Sequence, residues 1–130
     1  MVLKQLFLLK VDLSGAGAEM LARALVKMKS VTLSQTQISP DQANVLMQKI
    51  VMEDNLVLEH LNMNRVNLSG VGAEMLARAL VKLRDVCLAQ TQLSPEQINV
   101  LSQKIVKEEE LVLEHLNMYL VNLHLCSGVK

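Results

Sequence analysis

Two spacings of apolar residues alternate along this chain. In one, every second residue is apolar, as Leu6 and Leu8 are, which is typical of a short strand with one buried face. In the other, apolar residues recur every four positions, as Leu76 and Leu80 do, which places them on one face of a helix. The pattern therefore predicts strands and helices in alternation.

The chain also repeats itself. Residues 13–67 and 68–122 are identical at 40 of 55 positions, which indicates duplication, or deliberate design on a repeat, rather than chance. Each 55-residue unit divides again, so that five repeats start at residues 3, 28, 58, 83 and 113, with spacings that alternate between 25 and 30. All five copies keep the apolar frame L-x-x-L-x-L-x-x-z-x-L in phase. We therefore predict a single repeat domain over residues 1–130.

This repeat resembles the leucine-rich repeat family, in the subtype found in ribonuclease inhibitor and in the repeat regions of NOD-like receptors. The resemblance covers nearly the whole chain. One full copy of the frame runs through Leu58, Leu61, Met63, Val66 and Leu68. Because five copies share one phase through the strand part, the likeness is specific.

Two positions depart from the family pattern. The position that is usually Asn or Cys carries, in chain order, Val11, Thr36, Val66, Thr91 and Val121. A threonine can still hydrogen-bond to the backbone there, but a valine cannot. The glycine position, Gly17 and Gly72 in two of the repeats, is Gln42 and Gln97 in the alternate ones. These changes affect the regularity of the expected turns and not the architecture.

The resemblance implies an α/β fold, a leucine-rich repeat solenoid that forms a horseshoe segment with a parallel β-sheet on its concave face and α-helices on its convex face. Stacking would bury the apolar face that one strand–turn–helix unit cannot bury alone. We expect helices near 17–28, 40–53, 72–83 and 95–108. Ser39-Pro40-Asp41-Gln42 and Ser94-Pro95-Glu96-Gln97 are strong helix starts, with a capping serine, an early proline and a glutamine that can close a capping box.

Composition narrows the range of partners. Lys+Arg and Asp+Glu are both 13, so the chain has no broad basic field for nucleic acid or an anionic membrane. No stretch approaches the roughly 20 apolar residues that span a bilayer. Cys87 and Cys126 do not form a disulfide framework, and free thiols suit a reducing compartment. We expect a cytoplasmic protein that binds neither nucleic acid nor membrane.

The residues that flank the inward leucines of each strand are predicted to point to the concave surface. Members of this subtype bind proteins or ligands chiefly through that surface. The candidate partner-binding residues are Thr32, Ser34, His60, Asn62, Asn64, Asp85, Cys87, His115, Asn117 and Tyr119. Several of these positions differ between the two 55-residue units while the apolar frame stays fixed. That difference fits a surface free to diversify, and it fits neutral drift equally well.

One column of these candidates suggests a sharper hypothesis. His60, Asp85 and His115 occupy the same position on three successive strands, which lie about 4.8 Å apart, so adjacent members can touch. They are ligand types for Zn²⁺, but histidines two strands apart would share one metal only with distortion. We favour a hydrogen-bonded His–Asp–His ladder and predict no metal site. Such a ladder could loosen when both histidines become charged.

Catalytic motifs are missing from the sequence, which has no Gly-rich phosphate loop, HExxH, CxxC or nucleophile elbow. We therefore expect neither an enzyme nor a cofactor. The leading hypothesis is a module that binds a protein through the concave face. The alternative is a structural or self-associating repeat scaffold, natural or designed, without a dedicated ligand. A metal-dependent or enzymatic site is the third hypothesis, since fold does not decide function.

The ends of the predicted stack lack the polar caps that solenoids usually need. The stack opens on the apolar run 6–9 and closes on Leu120, Leu123 and Leu125. We expect either a fragment of a longer protein or a homo-oligomer in which the ends cover each other, because an uncovered apolar end is a pairing surface.

Overall fold

A computed structural model describes residues 4–108, 111–118 and the backbone of 122–123. In that part of the chain, the strands are β1 (Gln5–Leu9), β2 (Ser30–Ser34), β3 (His60–Asn62), β4 (Asp85–Cys87), β5 (Gln92–Leu93), β6 (His115–Asn117) and β7 (Asn122–Leu123). The helices are α1 (Ala18–Leu25), α2 (Pro40–Met52), α3 (Ala73–Leu80) and α4 (Pro95–Lys107).

Five of the strands form one parallel sheet in the order β1-β2-β3-β4-β6, and β5 pairs with β7 in a separate parallel pair. One helix lies between each two neighbouring strands of the larger sheet, and the helices contact one another in chain order. Each of the first four strands of this sheet is therefore separated from its neighbour in the sheet by one helix. The predicted α/β class with a parallel sheet is confirmed.

The core lies between the sheet and the helices. Alternate strand residues point into it, and on the three central strands they are at most 2% exposed: Val31, Leu33, Leu61, Met63, Val86 and Leu88. The helices contribute residues spaced three or four apart, such as Leu76 and Leu80, to the same cluster. The alternation read from the sequence thus gives the correct inward face on these strands.

The helix starts at Pro40 and Pro95 have the predicted capping boxes. Ser39 Oγ accepts a hydrogen bond from the Gln42 amide at 3.1 Å, and Gln42 Oε1 accepts one from the Ser39 amide at 2.7 Å. Ser94 and Gln97 make the same two bonds at the same distances. These bonds satisfy backbone donors that a helix start would otherwise leave unpaired.

Two helix ends differ from the prediction. The helices expected to reach 28 and 83 end at Leu25 and Leu80. In the first, the Met28 amide bonds to the Leu25 carbonyl at 3.2 Å, and the Leu83 amide bonds to the Leu80 carbonyl at 3.1 Å in the second. These are tighter turns of the i→i+3 kind, which close the helix and direct the chain into the next strand.

The two glutamines that replace glycine in alternate repeats join one repeat to the repeat before it. Gln97 is 2% exposed, and its Nε2 donates to the carbonyls of Leu68 at 2.8 Å and Val71 at 2.6 Å. Gln42 makes the equivalent pair of bonds to the turn at 13–16. Since each Oε1 also accepts from a capping serine, both buried amides are fully used.

The threonines at the position that is usually Asn or Cys bond to the backbone, as the sequence predicts. Thr91 is fully buried, and its Oγ1 donates to the Met63 carbonyl of the preceding repeat at 2.8 Å. Thr36 Oγ1 donates to the Ser34 carbonyl at 3.3 Å. Thr36 and Thr91 lie 55 residues apart, at equivalent positions, but they bond to different parts of the backbone. Thr91 bonds to the preceding repeat, and Thr36 bonds within its own turn.

A lysine caps the end of α2. Lys82 Nζ donates to the carbonyls of Ile50 at 2.9 Å, Val51 at 3.0 Å and Glu53 at 2.6 Å. A helix C-terminus leaves its last carbonyls without backbone partners and carries partial negative charge, so an ammonium group is favourable there. Lys82 thereby links the repeat that contains α3 to the helix before it.

Lys82→Met is expected to destabilise the chain by about 1–2 kcal/mol, because three carbonyls lose a charged donor. Lys27→Met is the matched control, since Lys27 holds the same repeat position 55 residues earlier but is exposed. Chemical denaturation of both variants checks this. Equal losses in the two variants would contradict the capping role of Lys82.

Candidate functional site

The outward face of the larger sheet carries two polar rows. The strand register aligns Ser30 with His60, then Asp85, then His115, across β2, β3, β4 and β6. Two residues further along each strand, the register aligns a second row, which consists of Thr32, Asn62, Cys87 and Asn117. These eight residues are half-buried or exposed, so no helix covers them. We call them the polar sheet face.

The polar sheet face surrounds a shallow cavity of about 320 Å³. All eight of its residues line that cavity, and the inward residues Val31, Leu61 and Val86 complete the lining between them. The cavity exists because short polar side chains flank the larger imidazoles on a flat array of strands. Its size suits one or two side chains of a partner.

Asp85 lies between two histidines and bonds to both. Its Oδ1 is 2.5 Å from His115 Nδ1, and its Oδ2 contacts His60 Nδ1. Because an ionised carboxylate can only accept, each contact requires a proton on Nδ1 and leaves Nε2 facing away from Asp85. The His–Asp–His ladder predicted from the sequence is present. Its outer member, His115, is 77% exposed, whereas Asp85 is 33% exposed.

The ladder stabilises the negative charge of its central member. The hydrogen bond from His115 holds the pKa of the Asp85 carboxyl below its usual value of 3.8, and the charges of His60 and His115 add to this effect. The expectation that the ladder loosens when the histidines become charged stays a prediction. The geometry argues against it, because both contacts to Asp85 are made by Nδ1 and a proton added at Nε2 would leave these donors in place.

The second polar row is tied to the turns at the ends of its strands. Asn64 Oδ1 accepts from Cys87 Sγ at 2.9 Å and from the Ala89 amide at 3.1 Å. The backbone amide of Asn64 in turn donates to Asn62 Oδ1 at 3.0 Å. The asparagines thus hold the strand ends of β3 and β4 together, which fixes the shape of this side of the cavity.

The structure brings most of the predicted site residues together. Seven of the ten line the cavity: Thr32, His60, Asn62, Asp85, Cys87, His115 and Asn117. Ser34 ends its strand and Asn64 follows one, so both lie beside the cavity and not in it. Tyr119, like Cys126, lies outside the described residues. Ser30 was missing from the predicted set although it lines the cavity, and the same alternation along its strand identifies it.

The side chains of this face form neither a metal site nor a nucleophilic pair in the described part of the chain. No group of three His, Cys, Asp or Glu side chains there is placed to hold a metal ion. The Cys87 thiol bonds to the Asn64 amide oxygen and not to an imidazole, so the contact that would activate it as a nucleophile is not formed. The arrangement instead offers hydrogen-bond donors and acceptors at fixed spacing.

Neither a protein-family model nor a curated protein matches the chain. Within the described residues, none of the helices has the length and apolar character that crossing a bilayer requires.

Replacing Asp85 tests the ladder through pH. A carboxyl whose pKa is lowered in the folded state stabilises the fold above its unfolded pKa, and this contribution disappears as the pH falls through the folded value. The wild-type chain should therefore be more stable to unfolding than Asp85→Asn by a constant amount above pH 3.8, and this difference should disappear at lower pH. Thermal unfolding of both chains from neutral pH down to about pH 2 measures the difference.

The comparison with Asp85→Asn is needed because other acids contribute to acid unfolding. Hydrogen bonds from Ser14 lower the pKa of Asp12, and the hydrogen bond from Lys49 lowers that of Glu19. Subtracting the stability of Asp85→Asn from that of the wild-type chain at each pH cancels both contributions. Glu59, 3.7 Å from His60 Nε2, also faces the ladder and is kept in both chains. An Asp85→Asn difference that does not change with pH would contradict the bonded ladder.

Proposed function

We propose that this chain is a leucine-rich repeat solenoid and that its polar sheet face, on the concave side, binds another protein. One observation carries the proposal: two rows of half-buried or exposed polar side chains run in register across four parallel strands around an open cavity. The 55-residue duplication and the L-x-x-L-x-L frame support the repeat assignment, because each copy supplies one strand of the sheet.

The dimensions of the face favour a macromolecular partner that extends beyond it. Its four strands, about 4.8 Å apart and at most five residues long, cover about 300 Å² in plan. A standard protein interface buries about 800 Å² on each partner, so contact must continue past the strand ends. A second cavity of about 590 Å³ lies there, lined by residues that include Gln35, Gln37 and Arg65.

The chemistry of the face is that of a protein contact in a reducing compartment. Asn62 and Asn117 present amide groups, and the Nε2 atoms of the two histidines are not used by the ladder. Groups of this kind recognise backbone and polar side chains of a partner. Cys87 is a free, half-buried thiol, which suits the cytoplasmic location that we propose.

A pair of matched variants tests this proposal. Ser30→Arg with Thr32→Arg adds two large charged side chains to the polar sheet face, at two positions that line the cavity. Gln48→Arg with Gln103→Arg adds the same charge at two exposed helix positions that are 55 residues apart. A partner is first captured with the wild-type chain from extracts of cells that express it, and its affinity is then measured with purified proteins.

The sheet variant is expected to weaken binding by at least about thirtyfold, and the helix variant by less than about threefold. Both variants must keep the wild-type unfolding midpoint, so that lost binding reports on the surface. Equal loss in both variants, or unchanged affinity in the sheet variant, would place the interface elsewhere.

A further inference from the structure

Strand β1 differs from the other strands of the sheet on both its faces. Its outward residues Phe7 and Leu9 are 71% and 52% exposed, although the outward positions on β2, β3, β4 and β6 are polar or small. Its inward residues Leu6 and Leu8 are only half-buried, whereas their equivalents on the three central strands are fully buried. Apolar surface is therefore concentrated along this one strand.

The backbone of β1 is also open on one side, since it pairs with β2 alone among the described residues. The Lys4 carbonyl accepts from the amides of Lys29 and Ser30, and the Lys10 amide donates to the Ser34 carbonyl, so these groups point towards β2. Successive peptide groups point to opposite sides of a strand. The amides and carbonyls of residues 5, 7 and 9 therefore point to the open edge, where another strand can pair with them.

Positive charge flanks this edge at both ends. Lys4 and Lys10 are exposed, and neither makes an ion pair with any residue that the structure describes. Lys29, whose amide bonds to Lys4, is exposed and without an ion pair as well. The edge thus presents an apolar centre, Leu6 to Leu9, between two cations that lie six residues apart.

These charges decide which kind of strand fits the edge. Two copies of β1 paired antiparallel about Phe7 would place Lys4 of one opposite Lys10 of the other, and like charges opposed across a strand pair are unfavourable. A strand with carboxylates at both ends would place each one opposite a lysine. This chain contains such a stretch at residues 108–114, but Glu114 already bonds to the Arg84 carbonyl within its own sheet.

We propose that the open edge of β1 binds an extended segment of another protein, apolar in its middle and with an acidic residue at each end, by β-strand addition. Main-chain bonds to residues 5, 7 and 9 would provide the pairing, and the apolar middle would cover Leu6 and Leu8. Phe7 would pair with the central outward apolar side chain of the segment, as cross-strand neighbours do. This site is separate from the polar sheet face and does not depend on the function proposed for it.

The probe is the acetylated and amidated peptide Glu-Thr-Val-Leu-Val-Thr-Glu, labelled for fluorescence anisotropy and titrated with the full chain. Its sequence is palindromic, so either strand direction places a glutamate opposite each of Lys4 and Lys10. The control peptide has lysine in place of both glutamates. At low salt the wild-type chain is expected to bind the acidic peptide at least about tenfold more tightly, with a difference that shrinks as salt is added.

Charge reversal at Lys4 and Lys10 tests whether these two lysines select the acidic peptide. Lys4→Glu with Lys10→Glu should reverse the preference between the two peptides, and binding of the lysine peptide would also show that the variant is folded. Arg78→Glu with Lys107→Glu makes the same change at exposed positions of α3 and α4 and should keep the wild-type preference. No preference in the wild type, or a reversal by the helix variant as well, would overturn the proposal.

A proline tests the main-chain pairing. Phe7→Pro removes an amide that points to the open edge and spares the bonds between β1 and β2, whereas Phe7→Ala keeps that amide. Phe7→Pro should bind the acidic peptide about tenfold more weakly than Phe7→Ala. Equal binding by the two variants would overturn strand addition. A dimer seen by light scattering in the wild type and lost in Phe7→Pro would assign the edge to a second copy, which would also overturn the proposal.

Discussion

Gln97→Glu is expected to destabilise the chain by about 4 kcal/mol at neutral pH, among the largest effects of any single-atom change in it. Gln97 is 2% exposed, and its Nε2 donates to the Leu68 and Val71 carbonyls. The substitution replaces that donor with a carboxylate oxygen that faces both carbonyl oxygens. The fold must then hold a buried negative charge beside two carbonyl oxygens, neither of which can donate a hydrogen bond to it.

The cost should depend on pH with a definite sign. Burial beside two carbonyls raises the pKa of the introduced carboxyl above its unfolded value of about 4.3. Above the unfolded pKa the carboxyl loses its proton readily in the unfolded state but not in the folded state. The loss of folding stability caused by the substitution therefore increases as the pH rises. At about pH 4 the protonated carboxyl can donate to one carbonyl, and most of the cost disappears.

Two other variants isolate the cause of this effect. Gln97→Met removes the same two bonds to the carbonyls, and also the bond that Oε1 accepts from the Ser94 amide, without adding charge; it should cost about 2 kcal/mol at every pH. Gln48→Glu makes the identical chemical change on an exposed helix position and should stay within about 0.5 kcal/mol of the wild type. Chemical denaturation at pH 7 and pH 4 compares them. If Gln97→Glu and Gln97→Met behave alike at both pH values, the amide does not donate to those carbonyls.

The role of these glutamines shows where sequence reasoning ends. At the sequence level Gln42 and Gln97 appear as departures from a glycine position. In the structure each one satisfies carbonyls in the turn before a helix of the preceding repeat. The N-cap residues of those helices are Gly17 and Gly72, which provide no side-chain cap. The glycine and glutamine repeats therefore complement each other in pairs. Periodicity within one repeat cannot show a bond made between two repeats.

The strands and the histidine column were predictable for a simple reason. Side chains alternate along a strand, and strands of a duplicated unit stack in register, so equal repeat positions become neighbours. That logic places His60, Asp85 and His115 in one row before any coordinate is known. The bonding atoms did not follow from it, because the choice between Nδ1 and Nε2 depends on side-chain rotation.

The helix ends and the lysine cap were not predictable in the same way. Apolar spacing continues past Leu25 and Leu80, so the pattern extends each helix by three residues. The backbone instead tightens there to bring the next strand into the sheet. Lys82 reads as one more surface lysine, since the same ten residues precede it and Lys27. Only the presence of a helix end within its reach gives Lys82 a partner.

Leu88→Ala should cost about 2–5 kcal/mol, because it leaves a cavity in a core that relaxes only partly. Leu88 is an inward residue directly after β4, fully buried in the core cluster. Leu61→Ala, on β3, should fall in the same range, since Leu61 is 2% exposed. For a domain of this size the loss is a large fraction of a total stability of about 5–15 kcal/mol.

Leu9→Ala is the matched control, because Leu9 has the same side chain on the same sheet but points outward and is 52% exposed. Its cost should stay within about 0.5–1 kcal/mol. Urea denaturation with a common slope for all three variants gives the comparison. A register shifted by one residue would exchange the inward and outward sets, since side chains alternate with period two. Equal costs for Leu88→Ala and Leu9→Ala would therefore contradict both the register and the face on which the polar rows lie.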